Sequence, residues 1–169
     1  SQGGTSLYGA WNPNWSLEKA KLKGEENKPK LFEDFIATTD AQLAKLPPNS
    51  FEIVGMLWVQ GESDNGPLTS STYGQNISTL IQKVRDYYGV PYMPFLMLGV
   101  GSKKVVESMS DATKKSLNVS LIRKSNNPKA NNYTPIYTHK WNGKPAGHYN
   151  YKGMKKIGNM FFDTYQKYY

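Results

Sequence analysis

Ile53-Val54-Gly55-Met56-Leu57-Trp58-Val59 runs straight into Gln60-Gly61-Glu62-Ser63-Asp64-Asn65-Gly66. The first half is apolar without a break, too continuous for a strand with one wet face, and fits a buried strand of a parallel sheet. The second half is polar and turn-forming, as expected where a strand ends and a loop begins. Upstream, residues 31–46 set Leu31, Phe32, Phe35, Ile36, Leu43 and Leu46 mostly at helical spacing, and Pro47-Pro48 stops the pattern. Downstream, residues 73–88 put Ile77, Leu80, Ile81, Val84 and Tyr88 on one helical face, closed by Gly89. Pro94-Phe95-Leu96-Met97-Leu98-Gly99-Val100 reads as a second buried strand.

Beyond it the pattern is weaker. Asp111 to Ile122 reads as a helix with blurred ends, bounded by the Asn126-Asn127-Pro128 turn, and Thr134-Pro135-Ile136-Tyr137-Thr138 as a short strand. Residues 150–168 return to helical spacing through Met154, Ile157, Phe161, Phe162 and Tyr165. Strands separated by helices predict an α/β fold, a three-layer sandwich around a mostly parallel sheet, with one domain over residues 1–169.

Composition narrows the function classes. Apolar residues make up 38 % and aromatics 13 %, enough for a packed core and too much for a disordered chain. No window approaches the apolar run of about 20 residues that a membrane span needs. The absence of cysteine rules out a disulfide scaffold, thiolate metal ligation and a cysteine nucleophile. A net charge of +8 would suit nucleic acid, an anionic membrane or an acidic polysaccharide, yet the lysines fall in pairs such as Lys103-Lys104 and Lys114-Lys115 and read as solvated surface.

Ligands and catalytic groups in open parallel sheets gather where strands end, and two places qualify. The first is Gln60 to Gly66, although Asp64-Asn65-Gly66 is also ordinary turn chemistry and Glu62 could simply cap the loop. Gly61-Glu62-Ser63 does not open a G-x-S-x-G elbow, because Asn65 stands at the fifth position. The second is His148, just ahead of the last helix. It and His139 are the only histidines, and base catalysis near neutral pH falls on one of them unless a carboxylate performs it. His139, beside Lys140, reads as structural. Neither pairs with a second ligand at helical spacing, so no metal and no cofactor is expected.

At this point the motifs resemble a known family. Trp58-Val59-Gln60-Gly61-Glu62-Ser63-Asp64, Tyr73, and Pro94-Phe95-Leu96 look like the SGNH hydrolases of the sialate O-acetylesterase type, related to carbohydrate esterase family six. Gly3-Gly4-Thr5-Ser6-Leu7 with Trp11, and His148-Tyr149-Asn150 with Gly153 and Gly158, match further family segments in order. The resemblance implies a flavodoxin-like sheet and acyl-ester hydrolysis by a serine nucleophile, a histidine base and an oxyanion hole. By resemblance His148 is the base, and Gln60, Gly3 and Gly4 donate to the oxyanion. Glu62, Asp64, Thr5 and Trp11 are expected to support the site or touch substrate. The implied substrate is an acetylated carbohydrate, and the implied location is secreted or periplasmic.

Two positions depart from the family pattern. Its nucleophile lies in a Gly-Gln-Ser-Asn segment after the first strand, and neither that segment nor its strand occurs in this sequence. The expectation is therefore a companion N-terminal segment that carries the nucleophile. Pro145 stands where many relatives place the aspartate that orients the histidine. A non-catalytic carbohydrate-binding relative is the alternative reading, with Trp11, Trp15 and Trp141 stacking on sugars. A nucleic-acid-binding domain is the weakest.

Overall fold

The computed structural model describes residues 2–122, 140–141, 144–145 and 151–169. Ser16 starts the first helix, α1 (Leu17–Lys23), by accepting the Lys19 N–H on its hydroxyl at 3.2 Å. Helix α2 (Leu31–Leu43) ends short of the expected Leu46. There the chain tightens into three-residue turns, Lys45 N–H to Gln42 O at 3.1 Å and Leu46 N–H to Leu43 O at 2.9 Å.

Strand β1 (Met56–Trp58) leads through a short 3-10 turn, Glu62–Asp64, into α3 (Pro67–Tyr88). That helix begins before the expected residue 73, with Pro67 in its first turn, where a missing N–H costs nothing. Thr69-Ser70-Ser71-Thr72 precedes the stretch whose spacing predicts the helix. In the fold, Thr69 and Ser70 are buried and the hydroxyls return to backbone carbonyls one turn back, Thr72 to Leu68 O at 3.0 Å. Strand β2 (Phe95–Leu98) is buried at every residue.

The helix expected over 111–122 is replaced by two elements, α4 (Lys103–Lys115) and β3 (Val119–Ile122). Ser102 caps α4 by accepting Val105 N–H at 3.3 Å, and Val105, Met109 and Ala112 form its buried stripe. The helix ends at Lys115 with Ser116 already extended, Asn118 turns left-handed at φ 54°, and Val119-Ser120-Leu121-Ile122, with β-branched residues at both ends, pairs with β2. A small antiparallel pair, β4 (Lys140–Trp141) and β5 (Lys144–Pro145), precedes α5 (Tyr151–Tyr168). The expected strand at Thr134–Thr138 lies outside the described residues.

The main sheet has the order β1-β2-β3, parallel throughout, with Leu57 opposite Leu96 and Leu96 opposite Ser120. Helices α3 and α4 pack together on one face, and α5 lies over β2 and β3 on the other. Phe95 to Leu98 of β2 form the centre of the core, between Ile77, Ile81 and Met109 on one side and Ile157 and Phe161 on the other.

Strand β1 is less enclosed than its apolar sequence predicts. Trp58 is buried toward Tyr73 of α3, whereas Leu57, on the opposite face, is 58 % exposed. Among the described residues β1 pairs only with β2.

Candidate active site

The C-terminal ends of β1 and β2 set the site's frame. Behind β1, Gly61 meets the loop behind β2 so closely that a Cβ on Gly101, which sits at φ 89°, would lie 2.6 Å from the Gly61 carbonyl oxygen. Asn65 ties the two loops, accepting the Ser102 N–H at 2.8 Å and donating to Glu62 O at 2.6 Å.

Onto this frame the N-terminal segment is fastened by two buried carboxylates. Asp64 accepts the Leu7 N–H at 2.9 Å and the Tyr8 N–H at 3.1 Å, one on each oxygen. Glu25 accepts the Ser6 N–H at 2.9 Å, the Ser6 hydroxyl at 3.1 Å and the Ala10 N–H at 2.8 Å. Burial pushes the Asp64 carboxyl up, against the opposing pull of the Gln60 amide, the two backbone N–H groups and Lys23. Lys23 itself donates to Ser63 O at 2.7 Å and so holds the loop from outside.

Gln60 stands between strand and N-terminal segment. Its Nε2 donates to Thr5 O at 3.1 Å and to Asp64 Oδ2 at 2.8 Å, so both amide protons have acceptors. From the core side, the Tyr73 hydroxyl donates toward the Gln60 backbone oxygen at 2.6 Å and lies 3.0 Å from its Oε1. Trp58 Nε1 in turn donates to that hydroxyl at 2.9 Å. Enclosure drives the Tyr73 phenol well above its usual range, so it stays a neutral donor. The chain Trp58, Tyr73, Gln60, Asp64 fixes the carboxamide in one orientation.

Above it, Gly3 and Gly4 are exposed, Gly4 is left-handed at φ 68°, and a Cβ on either would meet nothing within 4 Å. Their N–H groups donate to no acceptor among the described residues. The structure thus brings Gln60, Thr5, Asp64 and the Gly3-Gly4 turn together. Trp11 is half-buried and set edge-on against Trp58, centroids 5.3 Å apart, within the packing beneath the site. Glu62 is exposed at the rim. His148 and His139 lie outside the described residues.

Glu25 was not singled out in the sequence, where nothing separates it from its exposed neighbour Glu26. Asn65 reads there as a turn residue, although its amide joins two loops. As placed, the Gln60 amide spends both protons on Thr5 O and Asp64, and the Gly3 and Gly4 N–H groups are, among the described residues, the unengaged donors next to Thr5.

Comparisons with known proteins bear on the whole chain. A protein from Arabidopsis thaliana, solved as a crystal structure, shares the fold with a TM-score of 0.63 at 19 % identity; the alignment covers 98 % of this chain and 58 % of that one. The chain therefore spans little more than half the length of that relative. A carbohydrate acetylesterase from Xanthomonas citri aligns over 43 % of this chain and 20 % of its own, at 21 % identity and a TM-score of 0.40. No curated relative matches the sequence. The profile of the family described as carbohydrate esterase, sialic acid-specific acetylesterase matches residues 1–167, and the chain belongs to that family.

Proposed function

We propose that this chain supplies most of the catalytic centre of a carbohydrate O-acetylesterase that works outside the cytoplasm. The observation that carries the reading is the exposed Gly3-Gly4 turn, its N–H groups unengaged among the described residues, joined through Thr5 O to the Gln60 amide at 3.1 Å. The serine nucleophile comes from a companion N-terminal segment. Its Oγ attacks the acetyl carbonyl carbon while His148 takes the hydroxyl proton, and the carbonyl oxygen becomes an oxyanion. Gly3 and Gly4 N–H groups face that oxygen, and Gln60 joins them by exchanging one of its two inward bonds. Collapse expels the sugar oxygen, protonated by His148. Water, deprotonated by His148, then releases acetate from the acyl-serine.

The open edge of β1 supports a companion. Parallel sheets are buried on both faces, yet Leu57 and Val59 are 58 % and 43 % exposed, and Met154 and Phe162 on α5 are 56 % and 60 % exposed. An added strand on β1 would extend the sheet past Leu57 and help enclose it.

The test is hydrolysis of a chromogenic acetate ester by the chain alone and after adding back a segment that bears Gly-Gln-Ser-Asn. Turnover is expected only in the second case. His148→Ala should abolish it, and Gln60→Ala should lower kcat by roughly 10²–10³. Near-normal rates in both variants would overturn the assignment. The full engagement of Gln60 favours one second reading, a non-hydrolytic carbohydrate-binding relative. Sugar binding without turnover in the completed protein would establish it.

A further inference from the structure

At the far side of the sheet from Gln60, two adjacent grooves of about 420 and 510 Å³ share Thr113, Val119, Ser120 and Tyr168. They form one trough along the edge of β3 that pairs with no strand among the described residues, between the end of α4 and the end of α5, and each is of the size that holds a small ligand. We propose that this trough is a second carbohydrate-binding site, one that takes a uronate-containing, acidic polysaccharide. The inference goes beyond the esterase reading and stands without it.

Its wall combines hydroxyls with tyrosine rings. The Tyr169 hydroxyl meets Ser120 Oγ at 3.0 Å, which ties the ring to β3, and Tyr165 backs it with centroids 5.7 Å apart. Tyr168 is 60 % exposed, with Lys167 Nζ 4.9 Å from its ring centroid. A ring flanked by hydroxyls and an ammonium matches a sugar that has an apolar C–H face, hydroxyl edges and a carboxylate.

The charges select the acidic class. Lys114 is paired with Asp111 at 2.8 Å, but no carboxylate forms an ion pair with Lys115 or Lys167 among the described residues. Asp163 is the one acidic residue among those lining the trough. A double-stranded nucleic acid needs several phosphate contacts at regular spacing. Two ammonium groups and an aspartate along the trough do not provide them.

The measurement is biolayer interferometry of the chain over immobilised polygalacturonate, over a neutral glucan and over random double-stranded DNA. Binding is expected to polygalacturonate and not to the neutral glucan. Tyr168→Ala, and separately Lys115→Gln with Lys167→Gln, should each weaken it by roughly five- to tenfold. Lys103→Gln with Lys104→Gln removes the same charge from the start of α4 and should leave it unchanged. The proposal fails if Tyr168→Ala has no effect, if the Lys103 and Lys104 pair matters as much as the groove lysines, if DNA binds more tightly, or if polygalacturonate does not bind. Circular dichroism of each variant checks folding, and no arm depends on ester turnover.

Discussion

Asp64 shows how one side chain can be legible as chemistry and illegible as structure. In the sequence it belongs to an Asp-Asn-Gly turn and equally to a family signature. In the fold it is fully buried and holds the backbone of Leu7 and Tyr8 to the loop behind β1. Asp64→Ala would leave those two N–H groups and one Gln60 N–H without an acceptor. At about 1–3 kcal/mol per unsatisfied buried group, reduced by relaxation and entering water, a loss of about 3 kcal/mol is expected in urea unfolding. The group also imposes a pH dependence. Its folded pKa lies above the ordinary 3.8, so the folded state binds the proton more tightly than the unfolded chain does. The stability linked to that proton is complete below the ordinary aspartate range and is lost as pH rises through the raised value. Asp64→Asn cannot titrate and should lack this slope. Identical pH profiles of melting temperature in the two proteins would assign the dependence elsewhere. The sequence could not announce any of this, because burial of a turn aspartate depends on a segment more than fifty residues away in the chain.

Among the elements, the central ones were readable because periodicity and burial agree. Phe95 to Leu98 is apolar at every position and buried at every position, and α3 keeps Ile77, Leu80, Ile81 and Val84 inward as spaced. The failures share another cause. At the start of α3 and throughout α4, small polar residues pack between helices, so hydropathy loses its contrast there. Gly74 is the clearest case: a Cβ on it would lie 2.5 Å from the Ser108 carbonyl oxygen of α4, so the two helices meet at bare backbone. Nearby, the Ser108 hydroxyl donates to Ser70 O at 2.7 Å and fixes the same contact. Gly74→Ala improves helix propensity by about 1 kcal/mol in isolation. Here the steric cost of separating two packed helices, about 1–3 kcal/mol, should exceed that gain. A lower melting temperature is expected, and a higher one would mean that α4 yields without loss.

For the molecule as a whole, the asymmetry of its sheet matters most. One face of β1 is sealed by Trp58, Tyr73 and Trp11, while on the other Leu57 is exposed. An apolar strand edge of this kind pairs with whatever extended chain it meets, including another copy. Leu57→Lys should therefore cost little stability, since that side chain is already 58 % exposed, and should reduce self-association in sedimentation at raised concentration. The same substitution should block activation by the companion segment proposed above, because a strand added there would bury an unpaired ammonium. Hydrogen exchange separates edge pairing from a distant effect. The outward-facing N–H groups near Leu57 should gain protection when wild-type chain and companion are mixed, and none should gain it in Leu57→Lys. Protection appearing at β3 instead would place the companion on the opposite edge, far from Gln60 and the Gly3-Gly4 turn, and would remove the geometric basis for a shared catalytic centre.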